Sequence, residues 1–201
     1  YGLGGTLLAT ALAWMAARGD HRIRSATFLA TLLDFDGIGE DVPAADGQQA
    51  AAPGDPADHA SGDATAAAFR TQRANDLIWS FVVQSYLLGQ EPFPSDLLHW
   101  NADSTRMPSR MHAEYLHHMH RRNALARPGA LVVDGVPIDL QRVEAPGYVL
   151  AAREDRIAPW HSAYRATGLY GGPVRFVLAA SGHVAGVVNP PEAGRYSFWT
   201  N

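Results

Sequence analysis

Apolar residues in the first part of the chain form a helical run followed by a strand. In residues 6–18 the apolar positions recur at three- and four-residue spacing, which predicts a helix, and Gly19 predicts its end. Residues 23–33 then carry a nearly continuous apolar run, typical of a buried strand in a parallel sheet, and Asp34 follows it. A Gly-rich turn, a helix and a strand in succession indicate half of an alternating α/β unit.

The middle of the chain breaks this pattern. Residues 39–66 are rich in Ala, Gly, Pro and Asp and almost lack large apolar residues, which predicts a loop or mobile flap. Helical spacing returns afterwards, and a polar and aromatic helix is predicted over residues 107–125. We therefore expect α/β core in residues 1–38 and 129–201, with a flexible flap and a mostly helical cap insert in residues 39–128.

The last part of the chain returns to alternating strands and helices. The dipeptide Asp134-Gly135 predicts a tight hairpin. Residues 148–152 predict a buried strand and residues 174–178 predict the next strand, with a helix predicted between them over residues 159–169. The chain thus begins and ends in α/β structure.

The composition of the chain excludes several classes of protein. The chain has 201 residues, of which 47% are hydrophobic and 18% charged, so it is long enough and apolar enough for a packed core. A net charge of −4 argues against a general nucleic-acid binder, and the absence of cysteine excludes disulfides, thiolate metal sites and a cysteine nucleophile. No apolar run approaches a membrane span. An opening without Met or a basic region predicts no signal peptide and a chain cut from a longer protein.

Three features occur in an order that carries chemistry. A Gly-rich turn precedes the first helix, Asp155 follows a predicted strand, and His183 lies in the loop after the next strand. The α/β-hydrolase fold places its nucleophile, acid and base in this order. The acid accepts the ring N–H of the base, and the other ring nitrogen faces the nucleophile. The alternative is structural: Asp155 caps a helix, and His183 bonds to backbone.

The nucleophile position is occupied by glycine. A turn of the form G-x-nucleophile-x-G, aligned on Gly4, places Gly2 at its centre, and glycine has no group that can attack. Thr6 offers the nearest hydroxyl, but it falls in the first turn of the helix and points the wrong way. We therefore expect Thr6 to cap or pack the helix.

Several longer motifs carry a resemblance to a known family. The segments are residues 1–6 (YGLGGT), 32–35 (LLDF), 73–79 (RANDLIW), 100–108 (WNADSTRMP), 135–140 (GVPIDL), 153–160 (REDRIAPW), 181–191 (SGHVAGVVNPP) and 199–201 (WTN). Together they resemble the C-terminal catalytic part of the poly(3-hydroxyalkanoate) synthases, class I polyester polymerases of the α/β-hydrolase superfamily. The resemblance covers nearly the whole chain except residues 39–66.

The resemblance implies an acyltransferase that loads (R)-3-hydroxyacyl groups from CoA on a cysteine and adds them to a growing polyester, releasing CoA. In it, Asp155 matches the acid and His183 matches the base, while the backbone N–H of Leu3 is expected in the oxyanion hole. Gly2 stands where the family has its cysteine. We therefore expect this chain to be impaired in the covalent step.

The resemblance also implies binding sites and partners. Trp100 is expected to line the acyl channel, and Arg156, where many relatives have His, to contact a CoA phosphate. Plain packing and a solvent-exposed arginine are the simpler alternatives. The implied partners are (R)-3-hydroxyacyl-CoA, the polyester chain, a second copy in a homodimer and the polyester granule surface. Neither a cofactor nor nucleic acid is implied, and the expected location is cytoplasmic.

Other functions stay open at this level. A catalytically silent subunit that dimerises with an active synthase or binds granules is the main alternative. An ester hydrolase that uses Thr6 or a bound water is a third hypothesis. Four histidines crowd one helical region without the i, i+4 spacing that zinc prefers, so a solvated helix face is expected there instead of a metal site. They are His112, His117, His118 and His120.

Overall fold

The computed structural model describes residues 1–38, 59–60, 82–90, 107–189, 192, 194 and 196–201. The chain divides into two compact units. The first contains Tyr1–Val42 and Leu116–Asn201, and the second contains Pro43–Tyr115. The described strands, in chain order, are β1 (Ala26–Leu29), β2 (His59–Ala60), β3 (Met107–Pro108), β4 (Val132–Val133), β5 (Val136–Pro137), β6 (Gly147–Ala152), β7 (Val174–Ala179) and β8 (Phe198–Thr200).

The first unit is built on a four-stranded sheet in the order β1-β6-β7-β8. Strands β1, β6 and β7 are mutually parallel, and β8 is antiparallel to β7. The two strands predicted over residues 148–152 and 174–178 are confirmed as β6 and β7. Strand β1 is shorter than the apolar run at residues 23–33, because Ala30 takes a left-handed backbone with φ 46° and leads the chain out of the sheet.

Helix α1 (Leu3–Ala17) begins three residues before its predicted start. The reason is Gly2, whose φ of 51° and ψ of −128° turn the chain sharply into the helix. Its C-terminal end agrees with prediction: Gly19 takes φ 72°, and the next backbone N–H donates to the Met15 carbonyl. The helix packs on β1 and on the 3₁₀ turn Leu140–Arg142.

The predicted hairpin is confirmed. Asp134 and Gly135 both have positive φ, 49° and 72°, as a two-residue turn between β4 and β5 requires. The single helix predicted over residues 159–169 is wrong, because the structure has two shorter helices, Trp160–Tyr164 and Ala166–Leu169. The backbone tightens at Arg165, whose carbonyl accepts the Gly168 N–H only three residues later.

In the second unit, β2 and β3 form an antiparallel pair, and Val82–Leu87 is π-helical. The loop predicted over residues 39–66 is therefore wrong at His59–Ala60; the rest of that prediction lies outside the described residues. The helix predicted over residues 107–125 is also too long, because its first two residues pair as β3. The rest of that prediction is an α-helix at Ser109–Tyr115 in the second unit and a π-helix at Leu116–Arg121 in the first unit, and residues 122–125 are not helical.

Where the chain is described, its helices fall short of the length and apolar character needed to cross a bilayer.

Candidate active site

The candidate site lies at the carboxyl ends of three neighbouring parallel strands. Ala152 and Ala179, the last residues of β6 and β7, are paired in the sheet, so the loops that follow leave from the same edge. The turn before α1 reaches this edge too, because the Gly2 N–H donates to the carbonyl of Leu29 at the end of β1, over 3.0 Å. Asp155, His183 and Gly2 are thus brought to one edge of one sheet.

Asp155 and His183 are in direct contact. The Nδ1 atom of His183 lies 2.7 Å from Oδ2 of Asp155. The Asp155 side chain is fully buried, and that of His183 is 12% exposed. Because a carboxylate at this distance accepts the Nδ1–H, the ring keeps its proton on that nitrogen and leaves Nε2 free to accept another. This is the arrangement of an acid and a general base.

The second oxygen of Asp155 holds the carboxylate in place. Its Oδ1 accepts the backbone N–H groups of Ile157 at 2.8 Å and Ala158 at 2.9 Å. The loops are also tied together, because the Glu154 N–H donates to the Ser181 carbonyl over 2.9 Å. Asp155 therefore stabilises its own turn with one oxygen and orients the His183 ring with the other. It does not cap the helix Trp160–Tyr164, as the structural alternative required, because Pro159 occupies the N-cap of that helix.

Among the described residues, nothing crowds the turn at Gly2. Its positive φ places it in the region that favours glycine, and a sharp, strained strand-to-helix turn is where this class of fold holds its nucleophile. A Cβ built on Gly2 meets no described atom within 4 Å, its chain neighbours aside. The N–H of the next residue, Leu3, has no acceptor among the described residues and is available to a substrate oxygen.

Tyr1 is a site residue that the sequence reasoning missed. Its hydroxyl donates to the backbone carbonyl of His183 over 3.2 Å. The two rings meet edge to face, with centroids 5.1 Å apart. Tyr1, the residue directly before Gly2, thus holds the loop that carries His183 next to the turn at residue 2. No periodicity in the sequence signals this contact, which joins residues 182 positions apart.

The hydroxyl of Tyr1 should keep its proton to a higher pH than an ordinary tyrosine does. Burial, with a smaller contribution from the Asp155 carboxylate, raises the pKa of Tyr1 from 10.0 to about 12. The unfolded chain ionises first, so stability from this hydroxyl is complete below pH 10.0 and is lost as the pH rises towards 12. We expect Tyr1→Phe to flatten this part of the pH dependence of urea unfolding. Equal slopes in the two proteins between these pH values would contradict the assignment.

Thr6 is not placed to act on a substrate. Its side chain is fully buried, and its Oγ1 donates to the Leu32 carbonyl over 2.8 Å. The expected packing role is therefore observed, but the hydroxyl ties α1 to the segment after β1 and does not cap the helix.

Besides Tyr1, Ser181 is a second residue of the site that the sequence reasoning missed. It has φ 85° in the loop that carries His183, a strained conformation of the kind found at functional sites.

Of the two residues expected to bind substrate, Arg156 and Trp100, the structure describes only Arg156. Arg156 is solvent-exposed next to Asp155 in the chain. Trp100 lies outside the described residues.

The rings of His117 and His118 meet edge to face, with centroids 5.0 Å apart. Within the described residues, no three His, Cys, Asp or Glu side chains are grouped so that they could hold a metal ion.

Comparison with protein families assigns the class. The profile of the alpha/beta hydrolase fold matches residues 3–190. The chain therefore belongs to the alpha/beta-hydrolase fold family, as the order of turn, acid and base predicted.

Individual relatives narrow the comparison. The chain is 44% identical, over 99% of its length, to a poly(3-hydroxyalkanoate) polymerase subunit of Cupriavidus necator. It is 46% identical to the corresponding subunit of Rhizobium etli and 48% identical to a poly(3-hydroxyalkanoate) polymerase of Methylorubrum extorquens, in both cases over its whole length. The resemblance to the poly(3-hydroxyalkanoate) synthases is thus confirmed. The chain spans about a third of each of these relatives, covering 35%, 32% and 34% of their lengths.

Proposed function

We propose that this chain is the acyl-transfer part of a polyester synthase, which takes (R)-3-hydroxyacyl groups from CoA thioesters, extends a polyester and releases CoA. The observation that carries the proposal is the 2.7 Å contact between His183 and the buried Asp155, beside the turn at Gly2. The substrate class comes from the polymerase names of the relatives. Because residue 2 is glycine, the chain has no nucleophile of its own at this turn.

The geometry supports a role for each residue in the transfer. With Asp155 on Nδ1, His183 takes the proton of a nucleophile at residue 2 through Nε2. The nucleophile forms a bond to the thioester carbon, the carbonyl oxygen turns towards the Leu3 N–H, and the CoA thiolate leaves with the proton from His183. The same base then activates the hydroxyl of the growing chain, which displaces the acyl group from the enzyme.

Glycine at residue 2 removes the covalent step. The base and the oxyanion donor remain, so the rate should fall to what these groups supply without a nucleophile. We therefore propose that this chain is a strongly impaired synthase. Arg156 is proposed to meet a CoA phosphate from its exposed position, and Trp100 to line the acyl channel. A homodimer and attachment to polyester granules belong to the same proposal.

Restoring the thiol tests the proposal. In the full-length protein, Gly2→Cys should raise CoA release from (R)-3-hydroxybutyryl-CoA by about 100-fold or more, because a thiolate replaces water as the attacking group. The matched control is Gly4→Cys, which adds the same side chain at an equally open position inside α1. It should leave the rate unchanged. A Gly2→Cys protein that folds but is no faster than the Gly4→Cys control would overturn the proposal.

A silent partner is the second candidate, and the backbone at Gly2 favours it. Glycine adopts φ 51° without the strain that cysteine would bear there, so loss of the nucleophile makes the fold more stable. Such a subunit would pair with an active synthase or coat the granule. Stable pairing of the unaltered protein with an active synthase, together with a changed rate of that enzyme, would support it. Failure to co-purify in either order would exclude the pairing.

A further inference from the structure

A cluster of charged side chains joins two segments of the first unit. One is the segment after β1, residues 30–36, and the other is the pair of short helices that follows Asp155. Arg165, where these helices meet, places its Nη1 3.5 Å from Oδ2 of Asp34 and 3.6 Å from Oδ2 of Asp36. Its Nη2 donates to the Asp36 carbonyl over 2.9 Å. One guanidinium thus holds two carboxylates and a carbonyl of the other segment.

The Asp34 side chain is a fixed anchor for this guanidinium. It is 13% exposed, whereas that of Asp36 is 81% exposed, so solvent screens the Asp34 pair less. Oδ1 of Asp34 accepts from Nδ2 of Asn123 and from the backbone N–H of Asp36, each over 2.8 Å. Asn123 also accepts the backbone N–H of Phe35. Asp34 therefore cannot turn away from Arg165 without breaking these bonds.

The segment after β1 is tied to the turn that carries residue 2. The carbonyl of Leu29, at the end of β1, accepts the Gly2 N–H over 3.0 Å. A few residues later, the Leu32 carbonyl accepts the Thr6 hydroxyl over 2.8 Å. A group that is bound to this segment is thereby located relative to residue 2.

The helix that ends at Arg165 is tied to the acid. Oδ1 of Asp155 accepts two backbone N–H groups of the turn that leads into the helix Trp160–Tyr164, and Oδ2 contacts His183. Arg165 is the C-cap residue of the same helix. This helix therefore has the acid before its first turn and the guanidinium at its end.

The acid and the base are held from different sides. Tyr1, directly before Gly2, donates to the His183 carbonyl over 3.2 Å and packs its ring against the imidazole. Asp155 is held by the turn and the helix that follow it. The 2.7 Å contact between Asp155 and His183 therefore depends on this helix keeping its place relative to the turn at residue 2.

We propose that Arg165 is a positioning residue for acyl transfer, because its contacts with Asp34 and Asp36 keep the helix after the acid, and with it Asp155, aligned with His183. This rests on the proposed acyl-transfer function. Arg165 itself contacts no reacting atom. Without its guanidinium the helix can shift against the segment after β1, and a displacement of about 1 Å at a reacting group lowers a rate by up to about 100-fold.

Kinetics of Arg165→Met in the full-length Gly2→Cys protein test the proposal. Methionine keeps an unbranched apolar side chain but removes the charge and the donors. We expect kcat for CoA release from (R)-3-hydroxybutyryl-CoA to fall about tenfold, with KM within about twofold of the parent. Arg165→Lys keeps the charge that governs contacts at 3.5 and 3.6 Å, so its kcat should lie within about threefold of the parent.

Arg22→Met is the matched control. Arg22 pairs with Asp20 at 2.7 Å before β1, at the opposite end of that strand from the site. Its loss should leave kcat unchanged. Asp34→Asn keeps an oxygen for Asn123 but loses the charge that faces Arg165. Combined with Arg165→Met, it should lower kcat no further than Arg165→Met alone; effects that multiply would show that Arg165 does not act through Asp34.

Proton NMR of the unaltered protein supplies a readout that does not need activity. The proton between Asp155 and His183 should resonate far downfield, because its hydrogen bond is short and involves a carboxylate. In Arg165→Met this resonance should broaden or move upfield, and in Arg22→Met it should not change. A residue that only stabilises the fold would lower the melting temperature and leave the resonance in place.

The outcomes separate this inference from the proposed function. An active Gly2→Cys parent whose Arg165→Met variant keeps the parent's kcat overturns this inference alone. An unchanged resonance in Arg165→Met overturns it whether or not the parent is active. An inactive parent overturns the proposed function, and a resonance that still shifts then supports Arg165 as the residue that positions Asp155. If Arg165→Met does not fold, a tenfold loss of kcat in a folded Arg165→Lys protein with the parent's resonance contradicts the proposal.

Discussion

In the Gly2→Cys background, Asp155→Asn should lower kcat by about 10³- to 10⁴-fold while KM changes little. Asparagine keeps an oxygen for the N–H groups of Ile157 and Ala158, so the turn should survive. Its other group is an NH₂, which turns a donor towards Nδ1 of His183. The ring must then carry its proton on Nε2, where it cannot accept the proton of the nucleophile. The loss comes from the tautomer and leaves substrate binding intact.

Asp139→Asn is the matched control for this substitution. Asp139 also accepts a backbone N–H, that of Gln141 over 3.0 Å, at the start of the 3₁₀ turn. The same chemical change is made there with no histidine involved. We expect its kcat to equal that of the Gly2→Cys parent, and thermal melts should agree among the three proteins. A loss below about threefold in Asp155→Asn would show that the carboxylate only stabilises its turn.

Gly5→Ala should lower the free energy of unfolding by about 3 kcal/mol, the largest stability effect expected near the site. A Cβ on Gly5 would lie 2.1 Å from Oγ1 and 2.5 Å from Cγ2 of Thr31, and Thr31 is only 1% exposed. Neither group can move aside in a packed core, so α1 must shift away from the segment after β1. Urea unfolding measures the change, and far-ultraviolet circular dichroism checks that the helix persists.

Gly4→Ala is the control for Gly5→Ala. It adds the same methyl group one residue earlier in α1, where nothing described lies within 4 Å, and should raise helix stability by about 0.5–1 kcal/mol. The double variant Gly5→Ala with Thr31→Ala removes the two closest atoms. It should cost less than the sum of the two single changes by about 1 kcal/mol or more. Simple additivity would show that the contact between Gly5 and Thr31 is not the cause.

Local sequence patterns predicted the elements whose cause is local. The hairpin at Asp134-Gly135 was predictable because both residues tolerate positive φ, and the end of α1 because Gly19 does. Strands β6 and β7 were predictable because each is a short, mostly apolar run, although Arg175 near the start of β7 is exposed. Their parallel order brings Asp155 and His183 to the same edge of the sheet, so the contact between these two side chains could also be predicted from the sequence.

The predicted boundaries of elements were wrong where a contact or turn outside the local pattern sets them. The break at Arg165 accompanies a side chain that reaches back to the Asp36 carbonyl at 2.9 Å, 129 residues earlier. The end of β1 at Leu29 depends on the left-handed turn of Ala30, a residue that usually avoids positive φ. Strand β2 pairs with β3, nearly 50 residues later in the chain, so its own composition gave no signal.

By itself, the sequence determined the alternating layers, the order of turn, acid and base, and the glycine at the nucleophile position, because each of these is written in residue type and local spacing. Only the tertiary structure decided that Asp155 divides its two oxygens between its own turn and His183, that Tyr1 contacts His183, and that a Cβ at Gly2 meets no described atom within 4 Å beyond its chain neighbours. These depend on distances between segments far apart in the chain. Packing of the whole sheet and its helices sets such distances, and no local pattern encodes them.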